Sequence, residues 1–205
     1  MSNYDKMAAG ARELFLGYDQ EAIIRRWGLE ADEDYLYLRY LSQPLRIGRK
    51  TGLVEPAEPG AFVSPGAVNE SMILFDALTL SDPRPMPEGV WRSVSDLGGI
   101  IGSGHSRLLS HEKEAAPFAG KVPLLREACA RFGREEPGKA DVSFVFPVFG
   151  GFEVWFRFWD GDEEFPASIQ YLFDGSALRF MHYETLWYLM GNIIDHIQWH
   201  IAERR

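Results

Sequence analysis

Five carboxylates close to one turn are the first residues in this chain whose types and spacing could do chemistry. Asp160, Asp162, Glu163 and Glu164 supply four carboxylates within five consecutive positions, and Asp174 follows the next strand-like segment. If that segment runs back antiparallel, Asp174 returns beside the turn. Oxygen-rich clusters suit hard cations such as Ca²⁺ and Mg²⁺. The predicted metal ligands are therefore Asp160, Asp162, Glu164 and Asp174. Because the spacing departs from the EF-hand pattern, a solvated turn whose charges discourage edge aggregation is the competing interpretation.

Closely spaced glycines in LGGIIGSGH offer a second kind of chemistry, since their backbone N–H groups can approach an anion. The candidate ligand-binding residues of this loop are Gly98, Gly99, Gly102, Gly104 and His105. The segment lacks the Gly-Lys-Ser/Thr ending of a phosphate loop and the G-x-G-x-x-G frame, so a tightly turned loop is the alternative. The G-x-S-x-G elbow of serine hydrolases is also missing, and no catalytic residue is predicted.

Histidine and cysteine give weaker signals. His196 and His200 lie four residues apart with Glu203 three further on, so zinc ligation is allowed by spacing, but no HExxH pattern accompanies them. A role at the surface or at an interface is favoured. Cys129 is the single cysteine, which excludes an intramolecular disulfide and a cysteine-ligated iron–sulfur cluster within one subunit. We expect the Cys129 thiol to be buried and inert. The sequence identifies no cofactor for the protein, so its cofactor is unknown.

Residues 142–159 predict an aromatic β-hairpin. Gly150 and Gly151 are typical of the two central residues of a tight turn, which would place Pro147 opposite Val154. Proline cannot donate a ladder hydrogen bond, so the first strand is expected at a sheet edge or at a bulge.

The second strand of this hairpin has two different faces. One is predicted to carry Phe152, Val154, Phe156 and Phe158, and the other Glu153, Trp155, Arg157 and Trp159. The tryptophans of the second face need a cover, which a helix of the same chain or another subunit could supply. Trp155, Arg157 and Trp159 are therefore candidate ligand-binding residues, and a homodimer is possible.

The remaining elements predict a single α+β domain over residues 1–205. Its antiparallel sheet consists of hairpin 142–159 and a third strand at 167–173, covered by N- and C-terminal helices. The predicted helices lie at 4–18, 20–27, 65–80 and 123–132, with strands at 34–41 and 44–47 between the second and third of them. The last helix carries an apolar stripe formed by Leu186, Leu189, Met190, Ile193, Ile194, Ile197 and Ile201.

The composition and charge of the chain limit the classes of partner that the protein is expected to bind. The chain has 205 residues, 46% hydrophobic and 25% charged, as in ordinary globular proteins. A net charge of −9 opposes nucleic-acid binding. No signal peptide and no apolar run of about 18 residues is present, so we expect a cytoplasmic protein without a membrane segment.

Three segments, WRSVSDLGG, LLREACARFG and WDGDEEFPASIQYLFD, carry a resemblance to a known family. From the helix at Tyr4 through Asp174 the chain resembles an uncharacterised prokaryotic domain of unknown function, common in anaerobic bacteria and archaea. The resemblance implies that some relatives are linked with corrinoid and one-carbon metabolism. Some relatives carry an added cysteine-rich iron–sulfur module, which this chain lacks.

Three functions remain open from the sequence. The favoured one is a non-enzymatic accessory protein of anaerobic metabolism that holds a small molecule or a protein partner at the glycine loop or at the Trp155/Trp159 face. The second is a metal-assisted enzyme that uses Asp160, Asp162 and Glu164. The third is a scaffold that forms a homodimer through its aromatic face.

Overall fold

The computed structural model describes residues 3–80, 83–97 and 111–203. Helices combine with antiparallel sheets of four and five strands, which confirms the predicted α+β class. In the part of the chain that is described, no helix is long and apolar enough to cross a membrane.

The chain groups into two compact units. The first comprises Met1–Met86 with Ser176–Asp195, and the second comprises Pro87–Gly175 with His196–Arg205. Each unit is built around one of the two sheets. The extent of a single domain over residues 1–205 stays a prediction.

The first unit contains helices and the four-stranded sheet, in which neighbouring strands follow each other in the order β1-β2-β3-β4. Its helices are α1 (Asn3–Gly17), α2 (Gln20–Trp27), α3 (Val68–Leu80), α6 (Ala177–Phe180) and the first part of α7 (Tyr183–Ala202). Its strands are β1 (Glu30–Ala31), β2 (Tyr35–Tyr40), β3 (Gln43–Gly48) and β4 (Val54–Pro56). The sequence predicted α1, α2, α3, α7 and the two longer strands to within a few residues, but it missed the short helix α6 and the two-residue strand β1.

Local chemistry explains where α2 begins and ends. The Asp19 side chain accepts a hydrogen bond from the Ala22 backbone N–H, as an N-cap does. Gly28 ends the helix with φ of 63°, a conformation that costs glycine little.

The start of α3 differs from the prediction. Ser64 and Pro65 were expected to be the N-cap and first residue of the helix, but a 3-10 turn at Pro65–Ala67 comes first. The Ser64 side chain makes no capping hydrogen bond and instead donates to Glu70. The Ser64 hydroxyl, which the sequence pattern predicted would cap the helix, is therefore hydrogen-bonded to the buried Glu70 carboxylate instead.

The second unit is built on the five-stranded sheet, in the order β5-β9-β8-β7-β6. Its strands are β5 (Trp91–Ser93), β6 (Arg134–Glu135), β7 (Val142–Phe149), β8 (Phe152–Trp159) and β9 (Ser168–Asp174). Helices α4 (Glu112–Ala115) and α5 (Val122–Cys129) precede the hairpin. The hairpin and the third strand confirm the prediction, whereas the short edge strands β5 and β6 were missed.

The predicted register of the hairpin is wrong beyond the turn. Phe149 pairs with Phe152 as the two-residue turn requires, but Pro147 lies opposite Glu153 rather than Val154. The register shifts between Pro147 and Phe149, which is the mark of a β-bulge. Since Pro147 cannot donate to the ladder, an extra residue beside it disrupts few hydrogen bonds.

Apolar side chains fill one face of this sheet and the stripe of α7. Every residue predicted for the inward face of β8 is buried, and so is the α7 stripe except for its last member, Ile201. Phe132 stacks on Phe146 with ring centroids 4.3 Å apart. Cys129 is fully buried as expected, and burial raises the pKa of its thiol.

Candidate functional site

The outward face of β8 brings an arginine between two tryptophans. The Arg157 guanidinium carbon lies 4.9 Å from the ring centroid of Trp155 and 5.2 Å from that of Trp159. All three side chains are half-buried. Residues two apart on a strand point to the same face, which is why this order of residues stacks ring, cation and ring.

The donors of Arg157 are the most informative feature of this face. A guanidinium has five N–H donors and no acceptor. Within the described chain, Arg157 makes the two ring contacts but neither a hydrogen bond nor an ion pair. Gln170 lies directly opposite Arg157 on β9, and its side-chain amide makes no hydrogen bond with any residue that the structure describes. The face therefore presents a cation whose donors reach no acceptor among the residues that the structure describes.

Neighbouring strands extend the aromatic surface. The Trp155 indole N–H donates to the buried Ser143 hydroxyl at 3.0 Å, which fixes the plane of its ring. Trp91 on β5 meets Trp155 edge to face, with centroids 5.6 Å apart. The sequence did not single out Trp91, because a strand of three residues gives no period by which to place it.

We refer to Trp91, Trp155, Arg157, Trp159 and Gln170 as the tryptophan–arginine face. Indole rings offer flat apolar area, and a guanidinium recognises carboxylate or phosphate through paired hydrogen bonds. This combination suits a planar molecule with an anionic group. No group on this face is arranged to act as a nucleophile with an adjacent base.

The acidic turn uses its carboxylates to build the turn itself. Asp162 Oδ1 accepts hydrogen bonds from the backbone N–H groups of Glu164 and Phe165, both at 2.8 Å. These bonds lower the pKa of the Asp162 carboxyl. Asp160 Oδ1 accepts from the N–H of Gly120 at 2.9 Å and of Gly161 at 3.0 Å. These bonds support the alternative interpretation of a solvated turn, in which the carboxylates accept hydrogen bonds from backbone N–H groups.

Asp174 does not return beside the acidic turn. Strand β9 pairs antiparallel with β8 as expected, but Trp159 lies opposite Ser168, so the start of β9 is near the turn and Asp174 is at the far end. There the buried Asp174 accepts hydrogen bonds from the N–H groups of Glu88 and Gly89. The expected convergence was wrong because a seven-residue strand separates the two acidic positions.

Metal ligation has no geometric support in what the structure describes, where no group of three or more His, Cys, Asp or Glu side chains could hold an ion. Ligation by Asp160, Asp162 and Glu164 stays a prediction. The glycine loop, with Gly98, Gly99, Gly102, Gly104 and His105, lies outside the described residues.

The two C-terminal histidines are packed among aromatic rings. His196 is fully buried and tilts against Phe132 at 5.7 Å between centroids, so the expected surface role is wrong for it. His200 is half-buried and stacks on the same ring at 5.3 Å. The pKa of His196 is lowered to about 3, mainly because the ring is buried and to a smaller extent because His200 lies nearby.

The low pKa of His196 predicts loss of stability in mild acid. An unfolded histidine titrates near about 6.5, so below that pH the unfolded state takes up a proton that the folded state refuses. The stability that neutral His196 provides is complete above about 6.5 and declines as the pH falls towards 3. Urea unfolding at pH 7.5 and 5.0 should show that His196→Phe loses about 2 kcal/mol less than the parent protein over this interval. Equal losses in both proteins would contradict the assignment.

A buried polar network in the first unit escaped the sequence analysis. Glu70 is fully buried and accepts hydrogen bonds from the Ser64 N–H at 2.9 Å, from the Ser64 hydroxyl, and from Asn192 Nδ2 at 3.0 Å. The Tyr40 hydroxyl donates to Asn192 Oδ1 at 2.7 Å. The one available signal was a glutamate and an asparagine inside otherwise apolar helical stripes.

Another missed arrangement fixes the start of α7. The Asp76 carboxylate accepts hydrogen bonds from the backbone N–H of His182 at 2.7 Å and the Thr185 hydroxyl at 2.6 Å. The His182 ring lies 2.5 Å from the same carboxylate and is largely exposed. A carboxylate at a helix N-terminus stabilises the helix dipole, which explains the arrangement as a cap.

Fold and site together define an α+β protein with a half-buried aromatic and cationic face on its five-stranded sheet. The chain belongs to the family of the domain of unknown function DUF3786, whose model matches residues 19–196. The resemblance to an uncharacterised domain family is thereby confirmed, although the match begins after α1 and runs on into α7. No curated protein and no solved structure matches the chain.

Proposed function

We propose that the protein binds a small planar molecule with an anionic group, without transforming it, at the tryptophan–arginine face. The observation that carries this proposal is the half-buried Arg157 guanidinium, which lies between two indole rings and donates to no acceptor within the described chain. A partly desolvated cation without a counter-charge is costly, and an anionic ligand would relieve that cost.

Stacking and charge would contribute separately to affinity. A planar ring on an indole contributes about 1–3 kcal/mol, and a hydrogen bond to a charged group about 1.5–3 kcal/mol. The Gln170 amide, beside Arg157, offers both a donor and an acceptor for the edge of the same ligand. A molecule that is planar but neutral, or anionic but not planar, is expected to bind markedly more weakly.

Thermal-shift measurements provide the screen. Suitable probes are cobalamins, nucleotides, folic acid as a planar carboxylate, and naphthalene-2-carboxylate with its neutral amide as a matched pair. Cobalamins and folic acid are included because of the corrinoid and one-carbon link that the family resemblance implies. A ligand at about 100 times its Kd stabilises the fold by about 2.7 kcal/mol, which is several degrees for a chain of this size.

Substitutions test the position of the site. Arg157→Gln should weaken binding of the best anionic probe about tenfold or more, and Arg157→Lys should weaken it less, because lysine keeps the charge but loses the planar fork. Arg92→Gln is the matched control, since Arg92 is exposed on β5 and pairs with Phe173, whose side chain faces inward. Tryptophan fluorescence titration gives the affinities.

Two outcomes would overturn the proposal. If Arg157→Gln lowers the melting temperature but leaves every affinity unchanged, the stacked arginine only stabilises the sheet. If the ligand-free protein melts at a temperature that rises with protein concentration, and Trp159→Glu removes that dependence, the face is a homodimer interface instead.

A further inference from the structure

The first unit contains a cleft whose charge is opposite to that of the tryptophan–arginine face. It is an open cleft of about 580 Å³ between the start of α3 and one side of α7, and it is lined by Val68, Asn69, Glu184, Trp187, Tyr188 and Gly191. The lining contains two aromatic rings, a carboxylate and an amide, and none of the lining residues is cationic.

The Glu184 carboxylate is the one charged group in the lining of this cleft. Glu184 is exposed and has neither a hydrogen bond nor an ion pair with any residue that the structure describes. Asn69 donates to Asp195 Oδ2 at 3.2 Å, which leaves the amide oxygen of Asn69 as an acceptor.

Gly191 has no structural explanation other than the space it leaves. It lies inside the twenty-residue helix α7, where glycine is the poorest helix former apart from proline. Its φ is not in the left-handed region, and an added Cβ would meet nothing within 4 Å. Neither backbone conformation nor a close neighbour therefore requires glycine at this point, and its lack of a side chain keeps the cleft open.

We propose that this cleft binds a small organic cation, an alkylammonium or quaternary ammonium group, between the rings of Trp187 and Tyr188 and the carboxylate of Glu184. A cation over an aromatic ring is attracted by the negative face of the ring, and the attraction grows when the site is partly desolvated. The acceptors supplied by Asn69 and Glu184 fit ammonium N–H donors, whereas an anion would be repelled by the Glu184 carboxylate.

The probes are choline and putrescine, with 3,3-dimethyl-1-butanol as the uncharged analogue of choline. The indole N–H resonance of Trp187, assigned by its absence in Trp187→Leu, reports binding in NMR titrations of the full chain. We expect saturable shifts with at least one cation in the millimolar range or below, and about tenfold weaker binding of the neutral analogue. The proposal is overturned if neither cation saturates the shift, or if choline and its analogue bind equally.

Variants locate the cation. Glu184→Gln should weaken binding several-fold. Glu203→Gln is its control and should leave the affinity unchanged, because Glu203 is an exposed glutamate directly after α7 and does not line the cleft. Gly191→Leu should abolish binding without lowering the melting temperature, because leucine favours helix and its side chain would occupy the cleft. Gly10→Ala is the control for a change of a helical glycine. Gly10 lies in α1, an added Cβ there would also meet nothing within 4 Å, and the variant should keep the affinity of the parent protein. Unchanged affinity in both Glu184→Gln and Gly191→Leu would also overturn the proposal.

Discussion

A chain that ends at Tyr188 is expected to lose cooperative folding. The missing segment contains a set of buried apolar side chains: Leu189, Met190, Ile193, Ile194 and Ile197. Burying five such side chains contributes about 7–15 kcal/mol, and the whole stability of a domain is about 5–15 kcal/mol. The loss also removes Asn192, which pairs with Tyr40 and Glu70 in the buried network.

Urea unfolding followed by far-UV circular dichroism, together with the dispersion of methyl resonances, measures the effect. The matched control is a chain that ends at Ala202, which keeps the whole of α7 and removes only residues 203–205. We expect a single sharp unfolding transition in the control. In the shorter chain we expect a broad signal that depends only weakly on the urea concentration. A sharp transition in the chain that ends at Tyr188 would show that the α7 stripe is dispensable.

The elements of this fold were predictable where local patterns are long. Gly150 and Gly151 both adopt positive φ, as a two-residue hairpin turn requires, and the alternation along β8 correctly grouped the four side chains that are buried together. The bulge at Pro147 was not predictable, since a missing donor allows either an edge strand or a bulge and the choice depends on packing. Strands of two or three residues, such as β5, carry too little pattern to be found.

The candidate sites show a different limit. Composition and spacing identified residues that could do chemistry, but convergence depends on register and on strand length. Asp174 illustrates this, because correct antiparallel pairing still placed it at the far end of the strand. Arg157 illustrates the reverse, since period-two alternation alone predicted that it would share a face with Trp155 and Trp159. Sites formed within one strand are thus visible in a sequence, and sites formed between elements are not.

The two proposed sites select ligands of opposite charge. The tryptophan–arginine face offers donors and a cation, whereas the α3–α7 cleft offers acceptors and a carboxylate. Each is therefore a control for the other: a probe that binds one site is expected to be excluded from the second by like charge. Arg157→Gln should leave cation binding unchanged, and Glu184→Gln should leave anion binding unchanged.

Replacing Glu70 by alanine is expected to destabilise the fold by about 3–5 kcal/mol. The change leaves three buried donors without an acceptor, namely the N–H and hydroxyl of Ser64 and the Asn192 amide. Each unsatisfied buried donor costs about 1–3 kcal/mol, and the cavity adds to the loss. Tyr40→Phe, which removes one hydroxyl from the same network, should cost about 1 kcal/mol.

Urea midpoints at neutral pH give these values, with Glu13→Ala as the control because Glu13 is an exposed glutamate on α1. The control should stay within about 0.5 kcal/mol of the parent protein. A loss below about 1 kcal/mol for Glu70→Ala would mean that water replaces the carboxylate, so that the network is open to solvent. A large loss would instead show that Glu70 fixes the 3-10 turn at Pro65–Ala67 to α7, since its donors come from Ser64 on one side and Asn192 on the other.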